Sequence, residues 1–389
     1  MTTTEPTATD EARRDISGAE IVLKDVVKRY PGQRTPAVDG LSLTIPAGEI
    51  VMFVGPSGCG KTTSLKMINR LIEPTSGTIT IDGEDVRGKG ENELRRHVGY
   101  VIQGGSLFPH MTVEKNIAVV PKLLGWDADR VRERVTELLD LVGLDPDAYR
   151  GRYPRELSGG QQQRVGVARG LAADPPVILM DEPFGAVDPI TRQRLQDELL
   201  SIQRELRKTI VCVTHDIDEA IKLGDRILIL REGAEVAQYD SPEMILSAPA
   251  DDFVADFVGA GSSLKALSLA RVGEVELRSP TTARIGESTD EVRRRAEANG
   301  DRAVIVLDAR DRPVGWPWVR QLKGDQIVAP EEDVVDVDQR ATLNDALDTM
   351  LSSSHGAAIV TGDRNQYLGV VDFATVTEHV RAMEERAGE

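Results

Sequence analysis

Residues Gly55-Pro56-Ser57-Gly58-Cys59-Gly60-Lys61-Thr62 constrain this chain more than any other stretch. They fit the phosphate-loop pattern G-x-x-x-x-G-K-[ST], and their surroundings suit it. The apolar run Ile50–Val54 reads as a buried strand just before the loop, and residues 63–68 begin an amphipathic helix just after it. Glycines let the backbone curl until successive N–H groups point inward at phosphate oxygens, and the helix N-terminus adds its dipole. In that geometry Lys61 reaches the β- and γ-phosphates, and the Thr62 hydroxyl ligates Mg²⁺.

At 389 residues the chain is long for one core and suggests two or three domains. A formal net charge of −17 and a pI near 4.9 argue against a nucleic-acid clamp, which needs a basic stripe. The two cysteines, Cys59 and Cys212, cannot build a disulfide framework, so a reducing compartment is expected. No apolar stretch approaches the roughly eighteen residues of a membrane span, and residues 1–6 lack the basic start and apolar core of a leader. Work at a membrane therefore calls for recruitment by partners.

Residues 1–19 are polar, Thr-rich and aperiodic, and are expected to be disordered. Residues 21–30 read as a strand closed by Tyr30, and residues 37–45 as a second. Alternating residues 78–81 end in the hairpin signal Asp82-Gly83. A strand from His97 ends in Gln103, where open α/β sheets hold ligands. From about 113 to 144 the period turns helical, so an inserted helical lobe is expected over about 104–171. Within it Leu157-Ser158-Gly159-Gly160-Gln161 opens a helix whose N-terminus suits an anion. The apolar strand over 177–180 ends in Asp181-Glu182, two carboxylates that are expensive there without a task. A loop to Asp188, a long helix from Pro189 to Leu206 and a strand ending at Thr214-His215 follow. A hairpin over 226–237 and a helix over 251–258 close this part.

The small-residue stretch Gly259-Ala260-Gly261-Ser262-Ser263 reads as a linker. Beyond it the chain repeats itself. Residues 301–306 laid over 355–360 give an offset of 54 (355 − 301), with Ala303/Ala357, Ile305/Ile359, Val306/Val360, Arg310/Arg364 and Gly315/Gly369 coincident. Each copy reads as helix, apolar strand, turn and short strand. Neither buries a core alone, so the two are expected to pack as one module.

The order phosphate loop, Gln103, Leu-Ser-Gly-Gly-Gln, Asp181-Glu182, Asp188, His215 resembles the ATP-binding-cassette (ABC) ATPases over residues 20–259. The resemblance implies an α/β phosphate-loop NTPase domain, a mixed-sheet core with a helical subdomain, followed by a smaller α+β module. It implies that Tyr30 stacks on the adenine of ATP. Gly55, Pro56, Ser57, Gly58, Cys59, Gly60, Lys61, Thr62 and Thr63 would cradle the phosphates, and Thr62, Gln103 and Asp181 would hold Mg²⁺. Glu182 would polarise the attacking water, with Gln103 and His215 at the γ-phosphate. Ser158, Gly159, Gly160 and Gln161 would complete the nucleotide of a second subunit, and Asp188 would link the two sites. The implied hydrolytic unit is a head-to-tail homodimer.

More closely, Met67-Ile68-Asn69-Arg70-Leu71, Leu107-Phe108-Pro109-His110-Met111-Thr112 and Pro121-Lys122-Leu123-Leu124-Gly125-Trp126 look like the importers of quaternary amines such as glycine betaine, choline and carnitine. Those ATPases carry paired cystathionine-β-synthase-type (CBS) repeats, a description the duplicated module fits. The implied plan is a linker over 260–272, a degenerate first repeat over 273–328, where Trp316-Pro317-Trp318 departs from the pattern, and a second over 329–385. The implied partners are a second ATPase subunit, two integral-membrane permease subunits docked near Phe108-Pro109-His110-Met111, and through them an extracytoplasmic substrate-binding protein. The implied place is the cytoplasmic face of the cell membrane. At the module an adenine nucleotide or, through Arg293-Arg294-Arg295, an anionic lipid is the implied ligand; nucleic acid is not a partner. Alternatives stand beside this reading: an importer of another small solute such as proline, a soluble cassette ATPase outside transport, and a module that serves only dimerisation.

Overall fold

The computed structural model describes residues 18–102, 107–185, 187–259, 265–329 and 334–387. Gln103, with Gly104 and Gly105, the segment 1–17 and the linker residues 260–264 lie outside the described residues. Contacts divide the chain into two units at Val258/Gly259, with Leu246–Ala248 assigned to the second.

The first unit contains β1 (Ile21–Lys28), β2 (Val38–Ile45), β3 (Ile50–Val54), β4 (Ser76–Ile81), β5 (Glu84–Asp85), β6 (Val98–Ile102), β7 (Val177–Asp181), β8 (Thr209–Val213), β9 (Arg226–Leu230) and β10 (Val236–Asp240). Strands β2-β1-β4-β5 form an antiparallel sheet. Its hairpin turn has Asp82 and Gly83 both at positive φ, 51° and 76°, as a two-residue primed turn requires. The second sheet runs β10-β9-β3-β8-β7-β6, parallel from β9 through β6, with β10 antiparallel at one edge. Strands β3 and β8 are buried along their whole length because both faces are covered, which is why they read as continuous apolar runs. One core joins the two sheets: Ile21, Leu43 and Ile79 pack with Leu65 and Ile68 of the helix Lys61–Ile68, and with Phe53, Leu179 and Val213. Between β6 and β7 run the helices Val113–Ile117, Val119–Leu123, Ala128–Leu141, Pro146–Tyr149 and Gly159–Leu171. Ala128–Leu141 buries Val131, Val135, Leu138 and Leu139, the one-faced spacing of a covering helix.

Two boundaries differ from the sequence reading for tertiary reasons. The helix after the phosphate loop begins at Lys61 rather than Thr63. The last hairpin's return strand begins at Val236, because Gly233 and Ala234 both take left-handed φ and Ala234 N–H donates to the Cys59 carbonyl at 2.7 Å. A residue expected in a strand thus braces the phosphate loop instead.

The second unit carries the repeat in three dimensions. The first copy is β11 (Thr282–Arg284), the helix Thr289–Asn299, β12 (Ile305–Leu307) and β13 (Pro313–Gly315); the second is β14 (Asp336–Asp338), the helix Leu343–Ser352, β15 (Ala357–Thr361) and β16 (Tyr367–Asp372). In each copy the first two strands pair parallel and the last two antiparallel. Each helix covers its own sheet, and a shared cluster of Ile305, Leu307, Ala357, Ile359 and Val370 packs the sheets together. That cluster is the burial neither copy achieves alone. Trp316 and Trp318 of the first copy also stack on His355 of the second, with ring centroids 4.3 and 4.7 Å apart.

Candidate active site

The site lies where β3, β7 and β8, neighbours in the parallel sheet, release their C-terminal ends. After β3 the loop rises through Gly55, Gly58 and Gly60 at φ 147°, 83° and 111°. Gly60 is tightly placed, as Gly55 is: besides its φ, an added Cβ would fall 2.6 Å from the Ala37 carbonyl oxygen, and one on Gly55 would fall 2.3 Å from that of Leu230. Gly60 caps the helix Lys61–Ile68 with no side-chain bond and no acidic residue in the first turn, so the first-turn N–H groups are left for an anion. Lys61 is 7% exposed, and its ammonium donates to the carbonyls of Gly55 at 2.7 Å and Pro56 at 3.0 Å. Among the described residues no carboxylate pairs with it. A buried cation held on neutral oxygens is a site built for an incoming negative charge.

The Thr62 hydroxyl donates to Asp181 Oδ1 at 2.9 Å, bringing the loop to the end of β7. A hydroxyl and a carboxylate at one point are the hard-oxygen donors Mg²⁺ prefers, with the remaining positions left to water and phosphate. The residues present therefore fit that ion. Among the described residues no trio of His, Cys, Asp or Glu could hold a metal unaided. Glu182 follows with φ 47°, a left-handed backbone in a non-glycine residue, pinned by its N–H donating to the Val213 carbonyl of β8 at 3.0 Å. Its Oε1 stands 3.5 Å from His215 Nδ1, and both side chains keep solvent access, 32% and 65%.

Other residues singled out in the sequence sit apart from this centre. Ser158 caps the helix Gly159–Leu171 in a reciprocal box: Gln161 N–H donates to Ser158 Oγ at 3.3 Å, and Ser158 N–H to Gln161 Oε1 at 3.0 Å. Among the described residues no hydrogen bond links Ser158–Gln161 to the phosphate loop. Asp188 caps the helix Pro189–Leu206 through Thr191 N–H at 3.0 Å, and this bond holds its carboxyl below the usual range. The two caps are neighbours, since an added Cβ on Gly160 would fall 2.6 Å from Thr191 Cγ2. Tyr30 lies two residues past β1, half-buried, with Lys28 Nζ 5.2 Å from its ring.

Three contributors escaped the sequence reading. Tyr149 Oη accepts from the Gln161 amide at 3.0 Å, supporting the capping box from the preceding helix. Ala234 braces Cys59, as described above. Glu219, in the first turn after His215, is 6% exposed and pushed up to about 7 by burial. Of the three, only Glu219 had a signal: an acid on the inward spacing of a short helix with Ala220 and Leu223.

The family model described as ABC transporter matches residues 38–185. The chain is 51% identical over 307 residues to the osmoprotectant import ATP-binding protein OsmV of Salmonella typhimurium, covering 78% of this chain and 80% of that protein. It is 45% identical over 365 residues to the glycine betaine/carnitine/choline transport ATP-binding protein OpuCA of Bacillus subtilis, covering 92% and 95%. Among solved structures it is similar to the dimeric post-hydrolysis ATP-binding cassette MJ0796 bound to ADP and Pi. The TM-score is 0.52 at 36% identity, over 57% of this chain and 98% of that one.

Proposed function

This chain belongs to the ABC transporter ATP-binding proteins, and from that premise we propose that its ATP hydrolysis energises uptake of quaternary-amine osmoprotectants such as glycine betaine, choline or carnitine. The observation that carries the catalytic part is the convergence of Lys61, the Thr62–Asp181 pair and the Glu182–His215 pair at three adjacent strand ends. The loop N–H groups bind the phosphates, and Lys61 exchanges its loop carbonyls for phosphate oxygens. Glu182 orients a water and accepts its proton as the oxygen attacks the γ-phosphorus; the bond to the β-γ bridging oxygen breaks and ADP and phosphate leave. His215 steadies Glu182 and the phosphoryl group. Thr62 and Asp181, with Gln103, would hold Mg²⁺, which neutralises phosphate charge when bound.

Exposed Ser158, Gly159 and Asp188, unbonded to their own phosphate loop, support a head-to-tail homodimer in which they complete the partner's site. Ile190 beside Asp188 is 78% exposed, as an interface position would be. Among the described residues no helix is long and apolar enough to cross a membrane, so the transport path belongs to partner permeases. Exposed Phe108 and Leu123 on the helical lobe support docking there. The duplicated module is read as a tandem CBS regulator. Its cavity of about 510 Å³, lined by Trp316, His355, Arg302 and Asp372, supports an adenine nucleotide as ligand. Anionic lipid has less support, because Arg293 donates to the Leu322 carbonyl and Arg295 pairs with Glu287.

Uptake of radiolabelled glycine betaine, choline and carnitine, with and without Glu182→Gln, across external osmolarity, tests the reading. Dependence on Glu182 and a rise with osmolarity are expected. Unaffected uptake of all three, with ATPase intact in the unaltered protein, would remove the substrate assignment.

A further inference from the structure

Residues 107–112 have no regular secondary structure, yet their backbone is tied down from a single side chain. Asn116, on the helix Val113–Ile117, is 0% exposed. Its Oδ1 accepts the Phe108 N–H at 2.7 Å, and its Nδ2 donates to the carbonyls of Phe108 at 3.2 Å, Met111 at 3.1 Å and Thr112 at 3.0 Å. A carboxamide has two N–H donors, so three carbonyls share them, and both ends of an enclosed amide are spent on one loop. Burying that amide is tolerable only while those partners stay in place, so side chain and loop hold each other. Within the loop Met111 N–H closes on the Phe108 carbonyl at 3.1 Å, and Pro109 fixes its own φ. The helix that carries Asn116 is itself anchored. Val113 and Ile117 are fully buried, and the N–H groups of Val113 and Glu114 donate to the carbonyls of Arg152 at 2.8 Å and Arg150 at 3.0 Å. What this frame presents is Phe108, 42% exposed, beside exposed Pro109 and His110. The Phe108 ring is flanked by His110, with centroids 6.1 Å apart, and by the Arg169 guanidinium, 5.8 Å from its centroid.

We propose that Asn116 is a positioning residue for assembly with the permease: it holds the Phe108 loop in its docking shape before the partner arrives. The partner feature this calls for is an apolar pocket that takes an aromatic ring. An irregular loop that orders only on contact gives up part of its binding free energy to that ordering. A loop framed beforehand gives up little. Asn116 is enclosed, so it touches no part of the partner and acts through Phe108 alone. The inference rests on the reading of Phe108 as a docking residue.

The test titrates the full chain onto the permease that co-purifies with it, purified and reconstituted in lipid nanodiscs, following bound protein and stimulated ATPase. In Asn116→Ala the half-saturating concentration is expected to rise on the order of tenfold. The stimulated rate at saturation stays at the wild-type level, as do kcat and KM for ATP of the free chain. Asn116→Asp keeps an acceptor for the Phe108 N–H but has no donor for the three carbonyls, and it shifts as far or further. Unchanged half-saturation in both variants overturns the proposal, and so does a lowered saturating rate at unchanged half-saturation. Should neither variant fold, hydrogen exchange of the wild-type protein decides: the Phe108 amide is expected to exchange at least about a hundredfold more slowly than in an unfolded chain, and exchange at the unfolded rate overturns the frame. Phe108→Glu separates the two readings. Unchanged half-saturation in that variant defeats docking at Phe108 itself, whereas a raised value beside unresponsive Asn116 variants defeats only the role of Asn116.

Discussion

Lys61 and Glu219 are both ionisable and both nearly enclosed, yet they stand in opposite relation to the fold. Lys61 sits enclosed with its Nζ donating to two neutral carbonyls, an arrangement that costs stability and is useful only when phosphate arrives. Lys61→Met, similar in volume and uncharged, is therefore expected to raise the unfolding free energy by about 1 kcal/mol while abolishing nucleotide binding. Denaturant titration and nucleotide-binding calorimetry check the two halves, and a destabilised variant would show that the ammonium is well compensated without phosphate. Glu219 instead gives up its charge. Its folded pKa of about 7 lies above the ordinary 4.5, so the folded state binds the proton more tightly than the unfolded one. Its contribution is fully present below the ordinary value and is lost as pH rises from about 4.5 through about 7, a decline on the order of 3 kcal/mol. Urea midpoints at about pH 5, 6 and 8 should trace that decline in wild type, and the slope should vanish in Glu219→Gln.

At the scale of elements, the helix Gly159–Leu171 combines a structural cap with the function proposed for it. Gln161 spends its amide oxygen on Ser158 N–H and its amide nitrogen on Tyr149, so its role within this chain is to shape the turn. Ser158→Asn preserves an N-cap acceptor and Ser158→Ala does not. The Ala variant is expected to lose about 1 kcal/mol of stability and the Asn variant only a few tenths. If both lose most ATPase activity at saturating ATP, the hydroxyl serves the nucleotide rather than the cap; retention by Asn alone would make the cap the whole of its function. The sequence was read best where an element is dictated locally. Ile50–Val54 is a buried strand residue for residue, and Pro189–Leu206, with its proline at the first position and Asp188 as cap, is the expected helix. Reading failed where a neighbour from elsewhere in the chain decides. Ala234 is bent by the phosphate loop it braces, and Tyr30 falls outside β1 because Ala37 N–H closes the strand on the Lys28 carbonyl. Glu182 and His215 could be named from their strand ends, but the left-handed backbone with which Glu182 reaches the Val213 carbonyl of β8 could not. Glu219 looked like one acid among the chain's 64 because inward orientation depends on how Thr214 takes the N–H of Asp216, the residue that caps its helix.

For the whole molecule, two units with separate apolar cores imply two thermodynamic blocks. The second block is laced with exposed ion pairs: Arg284–Asp311, Arg295–Glu287, Arg312–Asp308, and Arg278 with Asp372. Such pairs weaken as the screening length falls from about 10 Å at 0.1 M salt to about 3 Å at 1 M. The first block's site depends on enclosed contacts, Lys61 on its carbonyls and Thr62 on Asp181, which salt reaches poorly. The rest of the first block also carries exposed pairs, such as Lys89–Glu84 and Arg231–Glu235, so calorimetry of the full chain is expected to resolve two transitions that both move to lower temperature between about 0.1 and 1 M salt. Truncation after Val258 should delete one of the two transitions and leave the other in place. If the module regulates the transporter, permease-coupled ATPase of the truncated chain should also lose its response to ionic strength while its basal rate persists. A truncated chain that keeps the full response would put the sensor in the ATPase unit or the permease and reduce the module to an assembly element.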